Sequence, residues 1–326
     1  MTIVNPIITI VIPVLNGEKY IGSCLESLLK LAEDGTRHEI IVIDNGSTDR
    51  TAEIVKSMNI DFVPNIKGTI GRLRNLGANR GHGNILAFID SDCTASINWL
   101  INALSCMERE KAAMVGCFYK NPDDAGWFAA TAELISNNKT GNVVNYIPAG
   151  NMIIKKEVFD TLGGFCETIE TNEDVDICQR LRNSGYIIFS DPSIEVTHWG
   201  VPRSLSEFLK KERWHAKSSF PIFFRDLAKL KNFKVVSYSI AFALIIVNTI
   251  IGILLLLFTG HISYLLVTCG LLLLVMFIMA FRGGLTRKKL PSLLLYDLLY
   301  GVARGTSFIL YIIRTIFPAR NISGKN

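Results

Sequence analysis

The chain has 326 residues, of which 49% are hydrophobic and 19% charged, which excludes a disordered chain and is rich in apolar residues for a simple soluble enzyme. Its formal net charge of +5 is unevenly placed: residues 1–202 carry 17 Lys and Arg against 25 Asp and Glu, residues 203–234 carry 9 against 3, and residues 235–326 carry 8 against 1. An acidic body argues against a nucleic-acid partner, and a basic excess beside an apolar tail suits anionic lipid headgroups.

The opening stretch MTIVNPIITIVIPVLNG has no basic n-region, and Pro6 and Pro13 interrupt any helix, so residues 7–14 read as a buried strand and not as a signal peptide. A helical pattern follows, with Tyr20, Ile21, Cys24, Leu25, Leu28 and Leu29 spaced by three and four. Residues 39–43 form a second apolar run, followed by a turn and a helix beginning near Asp49, and residues 60–63 and 85–89 continue the rhythm. Apolar strands alternating with helices predict an α/β body on a mostly parallel sheet covered on both faces. In such a sheet, ligands bind beyond the carboxyl ends of the strands. Polar and acidic residues collect there, at 13–16, at 44–49 and in Asp90-Ser91-Asp92.

Asp90 and Asp92 directly follow the apolar run ILAFI. Two carboxylates this close repel unless a cation lies between them, which suits a hard divalent ion that also binds phosphate oxygens. Glu173, Asp174 and Asp176 open a helical stretch whose Val175, Ile177, Cys178 and Leu181 face inward. Acids in a first turn suit the helix dipole, and a carboxylate there that faces a cleft can also act as general base toward a hydroxyl. His198, in EVTHW after another β-branched run, is either a packed core histidine or a metal ligand. Seven cysteines without a CxxC pair point to a reducing compartment and to neither a disulfide framework nor a zinc site.

Residues 235–258 carry no charge and are long enough to cross a hydrocarbon core, and residues 262–281 form a second such span after a very short link. The flanks at 229–234 and 282–289 are basic while the link has no Lys or Arg, so the positive-inside rule puts the body on the cytoplasmic side. Residues 292–317 include Asp297, Arg304 and Arg314, and either span while packed against the hairpin or lie in the interface. Three asparagines, Asn45, Asn138 and Asn321, match the glycosylation pattern, and in this topology the first two face the cytosol.

The segments IPVLNGEKYIGSCLESLL, EIIVIDNGSTD, GRLRNLGANRGHGNILAFIDSD and EDVDICQRLRNSGY, in this order and spacing, resemble family 2 glycosyltransferases of the GT-A fold over residues 7–200. The resemblance implies an α/β, nucleotide-binding GT-A domain followed by C-terminal transmembrane helices. It assigns the nucleotide sugar to Pro13, Leu15, Asn16, Glu18, Asp44, Asn45, Arg74, Asp90 and Ser91, and the sugar pocket to Gly150 and Asn151. Asp90 and Asp92, joined by His198, would hold Mg²⁺ or Mn²⁺. Asp174 would be the base that deprotonates the acceptor hydroxyl, with Glu173 beside it. Lys210-Lys211-Glu212-Arg213-Trp214 partly matches the QxxRW motif of processive synthases, with Lys210 in place of Gln, and Arg213 would reach the diphosphate.

The implied protein is an inverting, multi-pass enzyme of the inner cell membrane. It would move a sugar from a nucleotide-diphosphate sugar, UDP-linked in the favoured case, to a lipid-linked or glycan acceptor, through a catalytic domain (1–202), basic interfacial helices (203–234), a membrane region of two to three helices (235–317) and a tail (318–326). Three rivals have sequence tests. A polyprenyl-phosphate sugar synthase would carry a Gln-His-Pro-Pro type stretch where Cys93-Thr94-Ala95-Ser96 stands. A nucleotidyltransferase would need a glycine- and basic-rich phosphate loop, and Asn16-Gly17-Glu18-Lys19 is a poor one. A non-catalytic assembly subunit would lose the acidic pairs, and both are present.

Overall fold

The computed structural model describes residues 8–31, 36–136, 141–225, 233–282 and 290–316. Asn138, Asn321, nearly all of the basic loop at 282–289, part of the basic approach at 229–234 and the tail at 318–326 lie outside them. The chain divides into two compact units, Met1–Val201 and Pro202–Asn326.

The first unit runs β1 (Ile8–Val14), α1 (Ile21–Leu29), β2 (His38–Asp44), α2 (Thr51–Ser57), β3 (Asp61–Val63), α3 (Ile70–Arg80), β4 (Ile85–Ile89), β5 (Cys93–Ala95), α4 (Trp99–Arg109), β6 (Met114–Gly116), α5 (Trp127–Ser136), β7 (Asn142–Val143), β8 (Asn151–Lys155), α6 (Lys156–Thr161), α7 (Glu173–Asn183), β9 (Ile188–Ser190) and β10 (Val196–His198). Eight strands form one sheet in the order β3-β2-β1-β4-β8-β6-β9-β7, and β10 pairs with β5 in a second. The large sheet is mixed and mostly parallel, with β8 and β7 running against the rest.

Side chains of β1 alternate between two cores. Ile8, Ile10, Ile12 and Val14 pack with Cys24, Leu25 and Leu28 of α1, whereas Val11 joins Phe88, Phe159 and Phe165 on the opposite face. Burial on both faces is why the strand reads as an unbroken apolar run. Pro13 lies past the last β1–β4 pair, Val11 with Phe88, where that ladder has already ended.

The second unit contains α8 (Leu205–Arg225), α9 (Phe233–Thr259), α10 (Ser263–Arg282) and α11 (Leu290–Ile316). Along α8, Phe208, Glu212, Ala216 and Phe220 recur every fourth residue and are buried, while Lys210, Arg213 and Trp214 are exposed. Among the described residues, two helices are long and apolar enough to cross a membrane, Val236–Thr259 with mean hydropathy 2.9 and Pro291–Ile316 with 1.3. The second expected span is helical throughout α10, and its stretch Ser263–Leu272 is a shorter apolar helix. One charge of α11 has a partner inside the bundle: Arg304, 8% exposed, pairs with Glu212 at 3.0 Å. Close approach of α11 to α9 rests on Gly301 and Gly305, whose missing side chains make room for Phe242 and the backbone at Ala243.

Candidate active site

Parallel register brings the carboxyl ends of β1, β2 and β4 together, with Val14 opposite Asp44 and Val11 opposite Phe88. The loops leaving β1 and β2 are stitched to each other. Asn16, in the left-handed region at φ 51°, donates its amide to Ser47 Oγ at 2.8 Å and accepts from the Thr48 amide at 2.9 Å. Glu18 donates its amide to Asp49 Oδ2 at 3.0 Å and accepts from the Arg50 amide at 3.1 Å. Asp44, 3% exposed, accepts from the Ser47 amide at 3.1 Å and from the Asn65 amide at 3.4 Å. Asn45 exchanges two bonds with Gly68. The structure thus gathers Asn16, Glu18, Asp44 and Asn45 into one rim, where Asp44 is committed to its own turn and Leu15 stays exposed. Ser91 lies half-buried under it, near Gly17, and Pro13 is buried inside β1.

Behind the rim lies a cluster of two carboxylates around one guanidinium. Arg74, on α3 and 2% exposed, bonds Asp90 Oδ1 through Nη2 at 2.6 Å and Glu173 Oε1 through Nη1. Arg74, expected close to the nucleotide, is thus buried and shared between two acids. Glu173, 5% exposed, has its carboxyl pushed up to about 7, first by burial and then by the neighbouring charge of Asp174, against the pull of Arg74.

Asp174 is only half-buried and stands apart from that clamp. The Tyr146 hydroxyl donates to its Oδ2 at 2.8 Å, the Ala149 amide to the same oxygen at 3.3 Å, and the Val175 amide to Oδ1 at 2.8 Å. Burial raises its carboxyl above the ordinary aspartate range, and the Tyr146 bond, Arg74 and the two amides pull it back. A carboxylate held at the start of a helix, with its basicity raised, is suited to accept a proton. Inward-facing Ile177, Cys178 and Leu181 set the rotation of α7 that puts it there, while Val175 is half-buried.

Asp92 meets His198 through the small sheet. Pairing of Val196 with Ala95 and His198 with Cys93 sets the imidazole beside the acid, Nε2 lying 3.3 Å from Asp92 Oδ2. A Cβ on Gly200 would overlap Asp92 Oδ2, so glycine is what lets the carboxylate lie there. Ligand atoms of Asp92, Cys93 and His198 all fall within 4.8 Å of one another. A carboxylate oxygen suits Mg²⁺ or Mn²⁺, and an added imidazole nitrogen favours Mn²⁺ over Mg²⁺. Cys93 is a poor donor to a hard ion, because burial and the charges of Asp90 and Asp92 hold its thiol well above its usual range. Asp90 does not join this group: Arg74 takes one oxygen, and Tyr119 donates to the other at 3.1 Å.

Asn151 is fully buried, donating to the Cys117 carbonyl at 3.1 Å and the Ile194 carbonyl at 2.9 Å and accepting from Trp99 Nε1 at 2.9 Å, so its side chain ties strands together. Its neighbour Gly150 does reach the site, donating its amide to Tyr119 Oη at 3.1 Å. Arg213 is exposed on α8 in the second unit. Sequence reasoning missed Tyr119, Tyr146 and Gly200, which lie outside the acidic motifs and reach the site only through long-range contacts.

Residues 9–163 match the family described as Glycosyl transferase family 2. Glycosyltransferase AglE of Haloferax volcanii is 25% identical over 243 residues, covering 71% of this chain and 79% of the relative. The pre-mycofactocin glycosyltransferase of Mycobacterium tuberculosis is 26% identical over 231 residues, covering 66% of this chain and 47% of the relative. Mannosyltransferase PcManGT from Pyrobaculum calidifontis, solved in complex with GDP-Man and Mn²⁺, shares the fold with a TM-score of 0.62 at 15% identity, over 94% of this chain and 88% of that one.

Proposed function

We propose that this chain is a family 2 glycosyltransferase with a GT-A fold, a reading supported by the match of residues 9–163 and by its relatives, and that it transfers a sugar from a nucleotide-diphosphate donor to an acceptor hydroxyl in a single inverting displacement, with Asp174 as base. The observation that carries the reading is one short segment touching both halves of the site: the Ala149 amide bonds Asp174, and the next amide, Gly150, bonds the tyrosine that holds Asp90. A sugar seated over Gly150 would have a proton acceptor on one side and the donor-side acids on the other.

Each group then has a separate task. The rim of Leu15, Asn16, Glu18 and Asn45 receives the base and ribose, and Asp44 keeps it in shape. Asp92 and His198 hold the divalent ion, which supplies positive charge where the leaving diphosphate becomes more negative. Asp90, oriented by Arg74 and Tyr119, faces the ribose. Asp174 takes the proton of the attacking hydroxyl, so no covalent sugar intermediate on the protein is required. The apolar helices of the second unit and the exposed Lys210, Arg213 and Trp214 of α8 support anchorage to a membrane with the body on its cytoplasmic face, where a lipid-linked glycan acceptor has a high effective concentration.

Full-length protein in detergent, screened for turnover with UDP- and GDP-sugars and Mn²⁺, tests the assignment. We expect Asp174→Asn to abolish transfer while donor binding persists, and Asp92→Asn to weaken metal-dependent donor binding. An Asp174→Asn enzyme that still transfers sugar removes Asp174 as the base.

A further inference from the structure

We propose that Tyr119 is a positioning residue that sets the imidazole plane of His198, and so keeps the ion-holding pair Asp92 and His198 in register with the Asp90, Arg74 and Glu173 cluster; this rests on the ion assignment above. The backbone at His198 is held from two sides. β5 pairs with it on one, and on the other the Lys120 amide donates to the Val196 carbonyl at 2.9 Å while the His198 amide donates to the Lys120 carbonyl at 3.0 Å. That fixes where the side chain starts, yet leaves its two torsions to be set by whatever touches the ring.

Tyr119 touches it. The two rings stack with centroids 4.8 Å apart and planes 23° from parallel. At its far end the Tyr119 hydroxyl donates to Asp90 Oδ2 at 3.1 Å and accepts from the Gly150 amide at 3.1 Å. One side chain therefore has its face on an ion-holding residue and its tip on an acid of the other cluster. The tip bonds fix the plane of the phenol, and the phenol face in turn fixes the imidazole. The site leaves room for this and nothing more, since a Cβ on Gly150 would overlap both the Tyr119 hydroxyl and the Asp90 carboxylate. Ring orientation of a metal-binding histidine is ordinarily set by such outer partners.

The test is direct Mn²⁺ binding to the full-length protein without donor, read from the electron paramagnetic resonance signal of the free ion, for wild type, Tyr119→Leu, Tyr119→Phe and His198→Ala. Tyr119→Leu removes both stack and tip bonds and should weaken Mn²⁺ binding about tenfold or more. Tyr119→Phe keeps the stack, loses only the tip bonds, and should bind Mn²⁺ about twofold to threefold more weakly than wild type. A Tyr119→Leu protein that binds Mn²⁺ like wild type while His198→Ala does not overturns the role of Tyr119. A His198→Ala protein that binds like wild type overturns the ion assignment, and the proposal with it. Should Tyr119→Leu fail to fold, Tyr119→Phe carries the test, with a loss of about twofold to threefold expected and an unchanged isotherm overturning the proposal.

Discussion

Tyr146→Phe removes one hydroxyl from a buried ring and leaves the rest of the site in place. The hydroxyl donates to Asp174 Oδ2 at 2.8 Å, and the Ala149 and Val175 amides remain to hold the carboxylate. A hydrogen bond to a charged group contributes about 1.5–3 kcal/mol, and a tenfold change in proton affinity corresponds to about 1.4 kcal/mol, so losing this bond should make the Asp174 carboxylate bind its proton about tenfold to a hundredfold more tightly. Burial already holds that carboxyl above its ordinary value, and the Tyr146 bond opposes the rise. Turnover needs the ionised form, so the acid limb of kcat should move up by about one to two pH units while the alkaline plateau stays near wild type. The assay is kcat at saturating donor and Mn²⁺ across about pH 5 to about pH 9. An acid limb that does not move, beneath a uniformly lower plateau, would refute the argument and leave Tyr146 a packing residue. Stability must follow the same sign. A carboxyl raised in the folded state makes stability fall as pH climbs from its unfolded value through its folded one, so Tyr146→Phe should lose most stability at neutral and alkaline pH and little near about pH 4.

Glu173→Gln mimics the protonated form of an acid whose folded value is raised to about 7. The stability of the variant relative to wild type should therefore improve as pH rises from about 4.5 to 7, read by chemical denaturation at several pH values; a difference that shrinks instead refutes the raised value. Gly200→Ala should push Asp92 away from His198 and weaken Mn²⁺ binding by about tenfold, with an unchanged melting profile. Replacing Glu212 by Leu leaves the Arg304 charge buried without its 3.0 Å partner and should cost about 3–5 kcal/mol. The double replacement Glu212→Leu with Arg304→Met should recover most of that in detergent melts.

What could be read along the chain was local. β1, β2 and β4 are legible because a strand buried on both faces is a near-continuous apolar run, and the acids that follow it stand at the edge where ligands bind. The direction of β8 is not local: it follows from pairing Asn151 with Ile89 across the sheet. That pairing also removes Asn151 from solvent and hands its amide to carbonyls at Cys117 and Ile194, partners no spacing rule connects to it. Short-range pattern likewise shows Asp90, Glu173 and Asp174 as three equivalent acids. Their difference comes from Arg74, 16 residues from Asp90 and 99 from Glu173, which has two terminal nitrogens and bonds only these two. The acid that Arg74 does not bond, held by a phenol and two amides, is the one whose proton affinity burial raises while its carboxylate stays partly open. The separation of the clamped acids from Asp174, the proposed base, is thus set by where Arg74 lies between Asp90 and Glu173, a placement visible only once the helices α3 and α7 are brought side by side.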